Sequence, residues 1–322
     1  MATTNTAIHI TDLTKRFEPT AAVDGVSWEV PTGGIVGLVG PDGAGKTTLL
    51  RLLCGLLDPD AGSAVVAGYD VAREPERVKE RVGYLAQHFA LYGDLTVAEN
   101  IAFFARAYSV ASAEYESRAP ELLAFAGLER HADRLAEELS GGMRQKLGLV
   151  SALIHRPPVL LLDEPTSGVD PVSRRELWRI LHRLAAEGRT IVVCTPYMDE
   201  AERCHRVAFL ARGQVLATGT PDEVRDQLEF DVWEVHATPL WEARATAVTV
   251  QDVVSVHLFG DRLHLLTQPG AYDTSSLTAA LAAAGVREPR VQGATPSMED
   301  VFIALSEAAG MATAVGEGWV QW

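Results

Sequence analysis

The stretch Ile35-Val36-Gly37-Leu38-Val39-Gly40-Pro41-Asp42-Gly43-Ala44-Gly45-Lys46-Thr47-Thr48-Leu49-Leu50 decides how this chain is read. Residues 35–39 form a short apolar run, expected as a strand, and 40–45 a glycine-rich turn. Leu49, Leu50, Leu53 and Leu57 then recur at the spacing of one buried helix face. From Gly40 to Thr47 the residues fit G-x-x-x-x-G-K-[ST]. Glycines there let the backbone wrap phosphates, and successive N–H groups at the helix start point at the anion. In such a loop Lys46 reaches the β- and γ-phosphates, and the Thr47 hydroxyl ligates Mg²⁺. The plain alternative is a turn with an incidental lysine. A strand before it and a helix after it argue otherwise.

Outward from this stretch, short apolar runs alternate with helical patterns, which predicts an α/β layered domain. A strand near 82–86 leads to Gln87, and a mainly helical stretch follows from Val97 to about Leu139. The run 159–162 is fully apolar and ends in Asp163-Glu164, as expected of a buried parallel strand. A second such strand is expected at 191–194, and a closing hairpin from 207–210 with 215–217. Thr220-Pro221 reads as a helix start. Beyond Leu228 the texture changes. Val254, Val256 and Leu258 alternate, Gly260-Asp261 supplies a turn, and Leu263 and Leu265 resume the alternation. An alanine-rich helix is expected at 276–284 with a stop at Gly285, and a final helix at 298–305. The predicted organisation is a domain over 1–228, a small α+β domain over 229–307 and a tail over 308–322.

Two further stretches carry chemistry. Asp163, at a strand's carboxyl end, can hold a metal through its water shell, and Glu164 beside it can orient or deprotonate an attacking water. Alone, such a pair is more often a solvated turn; downstream of a phosphate loop it gains weight. Leu139-Ser140-Gly141-Gly142-Met143 opens a helix with Leu147, Val150 and Ile154 on one face. Ser140 is a natural N-cap, and the glycines bare a second anion-binding helix start.

Composition narrows the function. The 322 residues suit about two domains, and 47% hydrophobic against 22% charged residues predicts a globular core. With 28 Lys+Arg against 43 Asp+Glu the formal charge is −15. That balance argues against nucleic-acid binding, which needs basic groups, and against adhesion to anionic lipid by charge. Membrane association is therefore expected through a protein partner. Cys54, Cys194 and Cys204 lack metal-like spacing and read as small hydrophobes. The opening MATTNTAIHI does not resemble a signal peptide, and no run approaches the ~20 apolar residues that cross a bilayer. A soluble, cytoplasmic chain is expected.

GPDGAGKTT, Gln87, LSGGM, VLLLDEPTSGVD and TPYMDEAE occur in the order and spacing of ATP-binding cassette (ABC) proteins. The resemblance covers about 7–228. GYLAQHFALYGDLTVAENI and the late PSMEDVFIAL are most similar to ATPase subunits of bacterial drug-type exporters, which often carry a small C-terminal domain. The resemblance implies a P-loop NTPase core with an antiparallel β subdomain and a helical signature subdomain. It implies ATP and Mg²⁺ as ligands, with Lys46, Gln87 and Glu164 catalytic and Thr47, Gln87 and Asp163 around the metal. Gly40, Pro41, Asp42, Gly43, Ala44, Gly45, Lys46, Thr47 and Thr48 would cradle the phosphates, and Phe17 would stack on adenine. Leu139, Ser140, Gly141 and Gly142 would meet the γ-phosphate held by a second ATPase subunit, with Asp170 lining that interface. The segment 88–99 would receive a helix from membrane-embedded permease subunits, holding the chain at the inner face of the membrane.

One position departs from the family pattern. Its usual histidine, which bridges the γ-phosphate and the catalytic glutamate, is Pro196 here, without a side-chain donor or an N–H. His205 lies past the MDEAE segment and is not expected to replace it. Binding of ATP with slow hydrolysis is the expectation, and a hydrolysis-impaired regulatory or asymmetric partner subunit is the alternative. Asp42, where the family often has Asn, is expected at the loop's outer edge.

Overall fold

Packing, more than local propensity, turns these patterns into elements. In the computed structural model residues 6–87, 91–270 and 274–310 are described. Strands β1 (Thr6–Phe17) and β2 (Thr20–Pro31) form an antiparallel hairpin. β3 (Gly34–Val39) leads through the glycine-rich turn into α1 (Lys46–Leu53), and β4 (Ala61–Val66) and β5 (Tyr69–Asp70) return to the hairpin. The antiparallel sheet has the order β2-β1-β4-β5. Next come α2 (Pro75–Arg81), β6 (Val82–Leu85), α3 (Val97–Ala107), α4 (Ser112–Ala126) and α5 (Gly141–Leu153).

A second sheet is completed by β7 (Val159–Asp163), α6 (Pro171–Ala186), β8 (Thr190–Thr195), α7 (Met198–Ala201), β9 (Arg206–Ala211) and β10 (Gln214–Gly219). Its order is β10-β9-β3-β8-β7-β6, parallel except for β10, which pairs antiparallel with β9 as the expected hairpin. Every residue of β7 and β8 is buried, as unbroken apolar runs require of central parallel strands. α1 buries Leu49, Leu50 and Leu53 with Ile8, Leu13 and Trp28 of the antiparallel sheet and Val36, Leu38 and Val192 of the parallel one. At about 1.5–3 kcal/mol for each buried leucine, this packing fixes where α1 begins and hence where its N-terminus points. A separate core of Val97, Ile101, Leu123, Leu147, Val150 and Ile154 joins α3, α4 and α5.

The chain divides into two units, Met1–Pro221 and Asp222–Trp322, at the start of the short helix α8 (Pro221–Arg225). The second unit contains β11 (Asp231–Thr238), α9 (Leu240–Ala247), β12 (Val253–Phe259), β13 (Arg262–Thr267), α10 (Thr274–Ala283), β14 (Arg287–Ala294) and α11 (Met298–Ala308). Its antiparallel sheet runs β12-β13-β11-β14. Ala243, Ala247, Leu277 and Leu281 of α9 and α10 pack with Val235, Leu263 and Leu265, while Ala304 of α11 packs with Val232 and Leu266. The alternation around Gly260 and the last two helices were legible. β11, α9 and β14 were not, because β14 is a polar edge strand containing Pro289 and α9 buries only two alanines, Ala243 and Ala247. All three cysteines are free and buried, as expected. Among the described residues no helix is long and apolar enough to cross a membrane.

Candidate active site

The carboxyl ends of β3, β7 and β8 share one edge of the parallel sheet, where ligands of open α/β sheets bind. Val39 pairs with Thr195 and Asp163 with Cys194. Beyond the strands, the Gly40 N–H donates to the Thr195 carbonyl at 3.3 Å and the Glu164 N–H to the Cys194 carbonyl at 3.0 Å. β8 therefore carries the phosphate loop on one side and the carboxylate pair on the other. Gly45 closes the loop at φ 106°, and a Cβ there would lie 2.1 Å from the Ala22 carbonyl oxygen. Only glycine fits. As the N-cap of α1 it offers no side-chain cap, and the first turn holds no acidic residue. The first N–H groups of that helix have no intrahelical acceptor, so they are available to an anion.

Lys46 is buried, its Nζ donating to the carbonyls of Gly40 at 2.7 Å and Pro41 at 2.9 Å. The Asp42 carboxylate lies 4.0 Å from the same Nζ. Asp42 is exposed at the loop edge, as expected, yet its charge is felt at both Lys46 and Glu164. The Thr47 hydroxyl donates to Asp163 Oδ1 at 3.1 Å. Burial pushes the Asp163 carboxyl above its ordinary range, against the pull of the Thr47 hydroxyl and Lys46. Its Oδ2 and the Tyr84 hydroxyl are close enough to influence one another, but both are buried without a well-formed hydrogen bond. Burial, and then Asp163, push Tyr84 up to about 12.

Glu164 is raised first by burial and further by Asp42 and Asp163, with Lys46 and the Gln87 amide opposing. Its φ of 49° is left-handed, a conformation that few residues other than glycine adopt and that recurs at functional sites. Cys54 and Cys194, beneath the site, have thiols raised by burial and by Asp163, so they are packing groups and not nucleophiles.

Among the described residues no group of three His, Cys, Asp or Glu side chains could hold a metal by itself. A divalent ion here would need phosphate oxygens as well, which is the usual way Mg²⁺ is held. The unpartnered Asp163 Oδ2 beside the Thr47 hydroxyl fits such an ion.

The LSGGM residues form their own group. Ser140 caps α5 by accepting from the Met143 N–H at 3.3 Å, and Leu139 is buried. A Cβ on Gly142 would lie 2.4 Å from that of Ser173, so glycine lets α5 open against the start of α6. Asp170 caps α6, accepting from the Val172 and Ser173 N–H groups at 3.0 Å each. Its hydrogen bonds to Ser173, then Val172, hold the carboxyl below its ordinary range. Phe17 is 50% exposed, with Lys15 Nζ 5.9 Å from its ring centre, so it is no core residue. Gln87 is exposed, and residues 88–90 of the expected partner-helix segment lie outside the described residues.

Sequence reasoning missed Asn100. It is fully buried, its amide donating to the carbonyls of Tyr92, Leu95 and Thr96 and its oxygen accepting from the Tyr92 N–H at 3.0 Å. An Asn in a helix's first turn is the local signal that could have found it.

Pro196 directly follows β8, between the loop that Thr195 ties and the glutamate that Cys194 ties. His205 is elsewhere: its Nδ1 accepts from the Ile35 N–H at 3.0 Å, at the amino end of β3. The phosphate loop leaves the other end of that strand, about 13–15 Å away at ~3.3 Å per residue. His205 is therefore remote from the Pro196 corner.

Residues 23–167 match the family model described as ABC transporter. A probable multidrug ABC transporter ATP-binding protein of Escherichia coli (strain K12), YbhF, is 42% identical over 226 residues. That match covers 70% of this chain and 39% of YbhF, so the chain spans about two-fifths of that relative's length. The daunorubicin resistance ATP-binding protein DrrA3 of Streptomyces coeruleorubidus is 36% identical over 306 residues, 94% of this chain and 96% of that one. The chain belongs to the ABC transporter family. A solved dimer of the ATP-binding cassette MJ0796, in a post-hydrolysis state with ADP and Pi, superposes with a TM-score of 0.61 at 28% identity. It covers 66% of this ABC protein and 98% of that cassette. The family model falls wholly within the first unit, whereas the DrrA3 match must extend into the second.

Proposed function

We propose that this ABC protein binds and hydrolyses Mg-ATP and, paired with a second ATP-binding subunit, drives export through membrane-embedded permease subunits. The observation that carries the reading is the corner at the end of β8, where Lys46, Thr47, Asp163 and Glu164 converge on a glycine-shaped loop. The triphosphate of ATP would be wrapped by 40–48 and by the first-turn donors of α1. Lys46, released from the Gly40 and Pro41 carbonyls, would place its charge on the β- and γ-phosphates. Thr47, Asp163 and Gln87 would hold Mg²⁺, which neutralises phosphate charge when bound. Glu164 would orient the attacking water and take its proton, and the pKa rise from burial strengthens it as a base.

Phe17 offers an exposed ring for the adenine. Ser140, Gly141 and Gly142 would present the α5 opening to nucleotide on the second subunit, with Asp170 as the cap that rigidifies the neighbouring helix. The relatives' names, multidrug and daunorubicin resistance, support export as the task. The charge of −15 supports a permease, not lipid or nucleic acid, as the partner, with the chain held at the cytoplasmic face through it.

A second reading has one observation in its favour. Pro196 occupies the corner where a donor to the γ-phosphate would act, which fits a regulatory or asymmetric partner subunit that hydrolyses slowly. Calorimetry with Mg-ATP tests the common part of both readings: wild-type protein takes up nucleotide and Lys46→Ala does not. Glu164→Gln should keep binding while turnover falls by about 10²–10⁴. Well-folded wild type that takes up no nucleotide would end the account.

A further inference from the structure

Asp42 is the one carboxylate within the phosphate loop, and it is placed against Lys46. It does not cap α1, whose N-cap is Gly45 and which has no side-chain cap. Although 89% exposed, it holds its Oδ1 4.0 Å from Lys46 Nζ and adds its charge to that felt by Glu164. Lys46 meanwhile is turned back onto the Gly40 and Pro41 carbonyls. Lys46 and Glu164 are the two groups that flank the terminal phosphate in the reading above. A negative side chain beside Lys46, whose charge also acts on Glu164, therefore repels a third phosphate more than the first two, because Coulomb interaction falls with distance and salt screens it.

We propose that Asp42 is a specificity-determining residue that lowers the preference of this loop for nucleoside triphosphate over diphosphate. It does so by competing with the γ-phosphate for Lys46 and by repelling that phosphate directly. The consequence is a higher ATP threshold for the subunit. The inference rests on the ATP-binding reading and deepens it.

The test is calorimetric titration of the full chain with a Mg-bound non-hydrolysable ATP analogue and with Mg-ADP. Asp42→Asn should tighten the triphosphate by about tenfold and change ADP by less than about twofold. Asp42→Glu, which keeps the charge, should keep the wild-type ratio. Raising salt from about 0.05 to 0.5 M should narrow the gap between the wild-type and Asp42→Asn ratios, because the charge that separates them is screened. An unchanged triphosphate-to-diphosphate ratio in Asp42→Asn overturns the proposal. So does an equal change for both nucleotides, or loss of ADP binding in both variants, since either marks a loop-shape effect. Wild type that binds neither nucleotide would instead remove the ATP-binding reading itself.

Discussion

Pro196 stands where geometry matters most, one residue past the strand whose carbonyls tie down both Gly40 and Glu164. A donor aimed at developing negative charge contributes about 2.7–4 kcal/mol to catalysis. Pro196→His should therefore raise steady-state ATP turnover by about 10²–10³, read by phosphate release, with little change in nucleotide affinity. Turnover that stays at the wild-type value would show that the missing histidine does not limit this site. Asp163 makes a different prediction. Burial raises its carboxyl, so the charged form destabilises the fold at neutral pH, and stability recovers as pH falls through the raised value. Asp163→Asn, already neutral, should raise stability by about 1 kcal/mol at pH 7, and the gain should vanish below the ordinary aspartate value of 3.8. A thermal-melt difference that is flat with pH would refute this. Lys46, Thr47, Asp163 and Glu164 were legible because each motif is local and reports its own strand and turn. The electrostatic reach of Asp42 to Glu164 and the place of Tyr84 beside Asp163 were not, because they link segments far apart in sequence.

Elements differ in how they are specified. β7 and β8 announce themselves as unbroken apolar runs, whereas the start of α3 is set by a Thr96 cap that was not read from the sequence: its side chain accepts from the Glu99 N–H while the Glu99 carboxylate accepts from the Thr96 N–H. What the pattern could not tell is how the turn before α3 is held. Asn100 does this from inside the helix, meeting three carbonyls and one N–H between Tyr92 and Thr96. Removing it would strand buried backbone groups at about 1–3 kcal/mol. Asn100→Ala should lower the urea midpoint accordingly and speed amide exchange over 91–96 ahead of the parallel sheet. Equal exchange in wild type and variant would show that the turn holds itself. The same segment is where a permease helix is proposed to dock, so its rigidity is the property that would transmit closure. In the second unit legibility failed for α9, whose buried residues are two alanines, and for β14, a polar edge strand with no fully buried residue, so neither leaves a clear apolar period to read.

At the scale of the whole chain, charge bears on how the proposed transporter subunit would meet a membrane. Lys or Arg near an anionic surface contributes about 1 kcal/mol each, and a chain with a 15-charge acidic excess has the opposite balance. Among the described residues no helix is long and apolar enough to supply hydrophobic insertion instead. Neither feature favours bare lipid, so under the proposed function the permease subunits would supply the attachment. In flotation assays the chain alone should stay with the buffer when mixed with phosphatidylserine-rich vesicles, even at low salt where charge effects are strongest. It should float once permease subunits are reconstituted in the same vesicles, and keep floating as salt is raised, because a packed protein interface is screened less than exposed charge. Flotation of the chain on bare anionic vesicles would place a lipid-binding surface on a molecule whose charge argues against one, and would remove the need for a permease at this step.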